Sequence, residues 1–99
     1  QAMILPVSEK HEKYAEKVLI SLENNEIRAL IDDRNETVGK KIREAEMNKI
    51  PFMLIVGENE EKNETISVRR HGGEDHGSMT VEAFASLVNT EINTTLKSF

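Results

Sequence analysis

The sequence predicts a single α/β domain over residues 1–99, because short apolar runs alternate with segments of helical periodicity. Phe52–Val56 is apolar at every position, as expected of a strand buried on both faces of a sheet. Strand, helix and strand in alternation require right-handed crossovers and a sheet that is at least partly parallel. We therefore expect helices packed against a central sheet.

The first segment has the order strand, then helix. Met3-Ile4-Leu5, closed by Pro6, predicts a short strand, and Ser8 is expected to supply the N-cap oxygen of the next helix. In that helix the apolar residues recur at spacings of three and four, which predicts one buried face. These residues are Ala15, Val18, Leu19 and Leu22.

A second strand and a second helix follow. Asn24-Asn25 is expected to end the first helix, and Ile27, Ala29 and Ile31 alternate as in a strand. A polar loop over residues 32–36 leads to a second amphipathic helix, which ends before Pro51 and the central strand. Its apolar positions are Val38, Ile42 and Ala45.

The last third of the chain combines polar loops with two further elements. Residues 57–64 read as a polar stretch, and Ile66 and Val68 then predict a half-exposed strand that includes Arg69. Residues 71–77 read as a glycine-rich loop, after which Thr80 is the expected N-cap of a closing helix. The helical spacing there involves Val81, Phe84, Leu87, Val88, Glu91 and Ile92.

Composition limits the classes of function. The absence of cysteine excludes disulfides, thiolate catalysis and sulfur-ligated metal sites, and no apolar run approaches the roughly 20 residues of a membrane span. The first residues also lack the pattern of a signal peptide, so a cytoplasmic location is expected. A net charge of −5 argues against binding nucleic acid mainly through a broad basic surface. Any RNA contact must be local, and short basic clusters occur at residues 34–49 and 69–71.

Two acidic or histidine-containing groups offer alternative sites. Asp32 and Asp33 follow a predicted strand and could ligate magnesium, as in a small flavodoxin-like enzyme or signalling domain, although capping or pairing with Arg34 is the more common role of such residues. The second group consists of residue types that can ligate zinc, but a mobile loop is the favoured interpretation of this segment. They are His71, Glu74, Asp75 and His76. We predict no metal site and no catalytic residue.

Four polar side chains form the candidate binding site: Asn35, Arg43, Glu60 and Arg69. An amide both donates and accepts hydrogen bonds, a guanidinium binds guanine through two bonds, and a carboxylate accepts from base N–H groups. The predicted topology allows the four to meet at one edge of the sheet. Hydrogen bonding by these side chains is suited to bases that are not paired with another base.

The runs Ile31 to Glu46 and Lys49 to Gly57 resemble the anticodon-binding domain of class IIa aminoacyl-tRNA synthetases. Within that group, the loop Asp-Arg-Asn-Glu at residues 33–36 and Lys-Ile-Arg-Glu at residues 41–44 are most similar to threonyl enzymes. Ile66-Ser67-Val68-Arg69-Arg70 and Gly77-Ser78-Met79 are similar to the closing strand and loop of that family, so the resemblance covers essentially the whole chain.

The resemblance implies a three-layer α/β/α fold with a mixed, mostly parallel sheet of about five strands and three helices. It implies a tRNA partner whose middle guanine and last uracil in the threonine anticodon are read by Asn35, Arg43, Glu60 and Arg69. Arg69 is the candidate for guanine and Glu60 for the uracil imino proton, with Asn35 and Arg43 at base edges and backbone.

The same resemblance makes this chain a fragment of a longer synthetase. ATP and zinc are then expected in the catalytic domain of the parent chain and no cofactor in the fragment, and the parent is expected to be a homodimer. Two departures suggest a weaker electrostatic hold on RNA: Lys40 stands where an aromatic residue is common, and His71-Gly72-Gly73 replaces a more basic loop. The alternatives are another class IIa synthetase or a stand-alone tRNA-binding accessory module.

Overall fold

Strands and helices alternate through most of the chain, of which the computed structural model describes residues 2–32, 34, 36–72 and 74–97. A 3-10 turn over Glu9–His11 precedes the first α-helix. No helix in the described ranges is long and apolar enough to cross a membrane. The strands are β1 (Ala2–Pro6), β2 (Ala29–Ile31), β3 (Phe52–Val56), β4 (Ile66–Arg70) and β5 (Glu74–Met79). The helices are α1 (Glu12–Asn24), α2 (Val38–Met47), α3 (Glu58–Asn63) and α4 (Val81–Lys97).

The five strands form one mixed sheet in the order β2-β1-β3-β4-β5. β1 pairs in parallel with β2 and β3, whereas β4 runs antiparallel to both β3 and β5. The register aligns Pro6 with Val56 at the carboxyl end of the parallel strands and Met53 with Arg69 near the other end. The predicted α/β class and five-stranded sheet are confirmed.

Helices cover the sheet on both faces, which gives the predicted three layers. On one face, α1 and α4 pack against a large apolar cluster that includes Ile4, Leu54 and Phe84. On the other face, α2 packs through Ala45 onto Leu5 and Met53. Because successive side chains of a strand point to opposite faces, a strand between two helical layers must be apolar at almost every position.

Two elements were missed from the sequence. Residues 58–63, expected to be part of a polar loop, form α3, which is one helix more than the three expected. The segment contains no apolar residue that could reveal a helical period, and the helix is held by its cap instead. Part of the expected glycine-rich loop forms β5, whose polar residues pair with β4 across an irregular register beside Arg69. Pairing rather than side-chain burial therefore defines that strand.

The helix caps agree with the sequence in part. Thr80 accepts a hydrogen bond from the Ala83 amide at 3.1 Å, which confirms the predicted N-cap of α4. The prediction for Ser8 is wrong, since its side chain makes no capping bond among the described residues. The 3-10 turn intervenes, and it is the Ser8 main-chain oxygen that accepts from the His11 amide at 3.0 Å.

Candidate nucleic-acid interface

Helix α2 separates two flanks of the molecule. Its inner face carries Lys41 and Ala45, which are 3% and 5% exposed and lie against the sheet. At 100° of rotation per residue, Glu44 falls on one flank of the helix, Glu46 falls on the other, and Arg43 points away from the sheet. α2 lies over β1 and β3, so these flanks face β2 and β4 respectively.

The flank towards β2 is occupied by a closed ionic group. Arg34 donates to Asp32 from Nε at 2.8 Å and from Nη2 at 2.7 Å, and it also pairs with Glu44. The hydrogen bonds from Arg34 lower the pKa of Asp32, against the opposing effect of its burial. This confirms that Asp32 pairs with Arg34; Asp33 lies outside the described residues. Both charges of Asp32 and Arg34 are therefore already compensated.

Part of the first basic cluster is engaged within the protein. Lys40 pairs with Glu36 at 3.3 Å, and the Lys41 ammonium is buried and donates to the Pro6 carbonyl at 3.2 Å. Within the described part of the chain, Arg43 has no acidic partner and lies exposed on α2. Arg43 is thus a cation of this helix that can contact a phosphate or a base.

The flank towards β4 is the less compensated side. His71, which follows β4, places its Nε2 3.1 Å from the main-chain oxygen of Glu46, so this turn of α2 contacts the end of β4. Oε1 of Glu46 is buried and has no hydrogen-bond partner among the described residues. Sequence analysis did not single out Glu46; its spacing of three from Arg43 is the signal that could have done so.

Arg69 projects from β4 on the same face of the sheet as α2. It pairs with Met53, whose side chain belongs to the cluster under α2, and it alternates with Ile66 and Val68, which are buried on the opposite face. Its Nε is buried with no hydrogen-bond partner in the described ranges. The neighbouring Arg70 lies 5.6 Å from the centre of the Phe52 ring on the other face. The second basic cluster is therefore divided between the two faces.

Glu60 has a defined structural contact. Its Oε1 accepts from the Gly57 amide at 2.8 Å and so caps the first turn of α3, which follows the carboxyl end of β3. Burial raises the pKa of Tyr14 on α1, and the charges of Glu64, Glu60 and Glu61 raise it further. One carboxylate oxygen of Glu60 thus caps α3, so only the other oxygen is available to bind a base.

The predicted site residues do not all meet at one edge of the sheet. Glu60 follows the carboxyl end of β3, whereas Arg69 pairs with Met53, which is three residues, or about 10 Å, from that end. Arg43 lies between these levels on α2, and Asn35 lies outside the described residues. The expectation failed because β4 runs antiparallel, which carries Arg69 back along the sheet. The candidate interface is therefore an extended surface.

The described members of the alternative metal group show no ligand arrangement. In the described part of the chain, no three His, Asp or Glu residues are grouped so that they could hold a metal ion. Asp75 and His76 belong to β5, where Asp75 is in register with Arg69, and the Glu74 side chain is not among those described. The geometry around β4 and β5 instead places an acidic residue beside a basic one.

The chain matches a known protein family along most of its length. The family model "Anticodon binding domain" matches residues 1–91. Threonine–tRNA ligase of Flavobacterium johnsoniae is 70% identical over 101 residues, and that of Flavobacterium psychrophilum is 66% identical over the same length. Each alignment covers 100% of this chain and 16% of the relative, so the chain spans a small part of the curated relatives that it matches.

Solved structures agree in fold. The RNA binding domain of threonyl-tRNA synthetase from Cryptosporidium parvum superimposes with a TM-score of 0.85 at 27% identity, over 91% of this chain and 23% of that one. Prolyl-tRNA synthetase of the same organism gives a TM-score of 0.80 at 22% identity, over 91% of this chain and 20% of that one. The second likeness shows the fold alone.

Proposed function

Because the chain belongs to the anticodon binding domain family, we propose that it binds the tRNA anticodon as part of a threonine–tRNA ligase, the enzyme that attaches threonine to its tRNA using ATP. The observation that carries this proposal is the 70% identity to such a ligase along the entire chain. The domain itself performs no chemistry in this proposal. It selects the tRNA whose acceptor end reacts elsewhere in the protein.

The remaining parts of the reaction belong outside residues 1–99. ATP, threonine and a zinc ion are expected in a catalytic domain of the same polypeptide, against which this domain packs. The parent protein is expected to be a cytoplasmic homodimer. The 16% share of the curated relatives supports this division, since most of the length of such a ligase lies beyond the aligned region.

Base recognition is proposed to use the flank of α2 that faces β4 and the carboxyl end of β3. Arg69 donates to guanine O6 and N7, and the Glu60 oxygen not engaged in the cap accepts the imino proton of uracil. Asn35 and Arg43 contact base edges and backbone between them. A single-stranded triplet with its bases splayed out can span the separation of Glu60 and Arg69 along the sheet.

Charge makes the isolated domain a weak binder. With a net charge of −5 it repels the phosphate backbone overall, and only local cations attract it. Contacts from the rest of the parent protein would raise the effective concentration of the anticodon at this surface. Selectivity for the anticodon, more than affinity, is therefore the property to measure.

The test is a titration of the domain with anticodon stem-loops at low salt, where weak contacts remain measurable. The threonine anticodon should bind at least several-fold more tightly than an anticodon with other middle and last bases. Arg69→Ala should abolish that preference, whereas Arg28→Ala, an exposed arginine before the edge strand β2, should leave it unchanged. Equal binding of all stem-loops by the unaltered domain would contradict the proposal.

Another class IIa synthetase, or a stand-alone tRNA-binding module, is the second candidate. The similarity of the fold to prolyl-tRNA synthetase supports only a shared architecture. The same titration separates the candidates, because preference for a proline, glycine or histidine anticodon would favour another synthetase. Equal binding of intact tRNAs would favour an accessory module.

A further inference from the structure

Two buried polar atoms of opposite character face the same side of the sheet. Oε1 of Glu46 and Nε of Arg69 are both shielded from solvent, and among the described residues neither has a hydrogen-bond partner. Leaving such an atom unpaired is costly, so unpaired buried groups are rare without a functional reason. Each side chain as a whole is only partly buried and remains accessible in part.

The two residues approach the site from different elements. Glu46 lies on the flank of α2 that faces β4, as the bond between His71 and the Glu46 main chain shows. Arg69 stands on β4 beside Met53, which packs under α2 next to Ala45. Both residues thus lie between α2 and β4, and in the described part of the chain no ion pair joins Glu46 to Arg69.

We propose that Glu46 is a specificity-determining residue that acts with Arg69 to bind one guanine base. This inference rests on the proposed function and adds a residue to it. The Watson–Crick edge of guanine presents the acceptor O6 beside the donors N1–H and 2-amino. Arg69 donates to O6, and the Glu46 carboxylate accepts from N1–H and the 2-amino group. The accessible parts of both side chains thereby meet groups of the correct polarity.

Adenine reverses this pattern. It presents an amino donor where guanine has O6, and an acceptor at N1 where guanine has a donor. Against adenine, the Arg69 guanidinium would face a donor and the Glu46 carboxylate would face a lone pair. A mismatched buried polar group is costly, so the pair should reject adenine as well as bind guanine.

The test uses Glu46→Gln, which keeps the size of the side chain while replacing an acceptor oxygen with a donor nitrogen. Stem-loops with guanine or adenine at the middle anticodon position are titrated against both proteins at low salt. The unaltered domain should prefer guanine, and Glu46→Gln should reduce the ratio of guanine to adenine affinity by about tenfold, the scale of one well-formed base contact. Circular dichroism and thermal melting establish that the variant is folded.

The ratio of affinities is the informative quantity, because removing a negative charge should strengthen binding to any RNA. Glu16→Gln, an exposed glutamate of α1 on the other face of the sheet, removes the same charge and should leave the ratio unchanged. If Glu46→Gln weakens guanine and adenine equally, or leaves the ratio unaltered, the inference is overturned while anticodon binding stands. If the unaltered domain shows no anticodon preference, the proposed function itself fails.

Discussion

The guanidinium of Arg34 binds the carboxylate of Asp32 through two parallel hydrogen bonds, Nε to Oδ1 at 2.8 Å and Nη2 to Oδ2 at 2.7 Å. The same guanidinium pairs with Glu44 on α2. The loop after β2 is thereby tied to the helix that carries Arg43 and Glu46. This group stabilises the framework of the interface without itself offering a free charge to RNA.

Asp32→Asn should reduce stability at neutral pH by about 1 kcal/mol, because the charged half of a well-formed pair is lost while Arg34 remains half-exposed. The pKa of Asp32 is lowered in the folded state, so its contribution is fully present above the ordinary pKa and is lost as pH falls through the lowered value. Urea denaturation at pH 7 and at about pH 2.5 measures the difference.

The two proteins should therefore differ at pH 7 and converge in acid. Glu36→Gln, which removes the neighbouring acid that pairs with Lys40, is the matched control and should change stability less at either pH. A difference between Asp32→Asn and the unaltered protein that is the same at both pH values would refute the linkage.

Lys41 allows a test of what a buried cation contributes. Its side chain is 3% exposed, and its ammonium donates to the Pro6 carbonyl at 3.2 Å. Lys41→Met keeps most of the packing and removes the cost of burying a charge, so the free energy of unfolding should change by less than about 1 kcal/mol. Lys41→Ala should lose about 2 kcal/mol or more through the cavity that it leaves.

Denaturation of both Lys41 variants in urea, with the slope compared as well as the midpoint, provides the measurement. If the methionine variant lost as much stability as the alanine variant, the ammonium and its bond to Pro6 would be the stabilising feature, contrary to this expectation.

Much of the fold could be predicted because burial determines it. β3 is apolar throughout because α2 covers one face and α1 and α4 cover the other, and this pattern is visible in the sequence. α3 and β5 were missed because neither depends on apolar periodicity. α3 is held by the bond between Glu60 and the Gly57 amide, and β5 by its pairing with β4.

The level of a candidate site residue along the sheet could not be predicted from the sequence. Arg69 could be assigned to a strand face from its alternation with Val68, but the level that it occupies along the sheet depends on the antiparallel register with Met53. Glu46 carries only a weak signal, its spacing of three from Arg43, and a glutamate on a helix is ordinarily solvated. That one of its oxygens is buried is visible only in the structure.

Replacing Glu64 with glycine should increase the stability of the protein. It ends α3 with φ of +55°, a left-handed conformation that costs a residue with a β-carbon roughly 1–2 kcal/mol. Glycine removes that strain but is more flexible in the unfolded chain, so the net gain should be about 0.5–1 kcal/mol, or a few degrees in Tm. Thermal unfolding followed by circular dichroism measures it.

Glu64→Ala is the control for the exposed contact with Lys17, whose Nζ lies 3.7 Å from Oε1 of Glu64. Alanine loses that contact, which contributes little when exposed, and keeps the backbone strain. Its Tm should stay at or below that of the unaltered protein. An equal rise in Tm for alanine and glycine would show that backbone conformation is not the cause.

Arg43 should act on RNA through charge. It is exposed on α2 and has no acidic partner in the described part of the chain, so it is suited to a phosphate contact beside the base-reading residues. Arg43→Gln should weaken all stem-loops alike and reduce the slope of log affinity against log salt by about 0.7, the value for one contact with a single strand. Titration at several salt concentrations gives the slope.

Lys13→Gln, which removes an exposed charge from α1, is the control for Arg43→Gln and should leave the slope unaltered. Loss of anticodon preference in Arg43→Gln without a change in slope would instead assign Arg43 to a base, because only phosphate contacts release counterions independently of sequence.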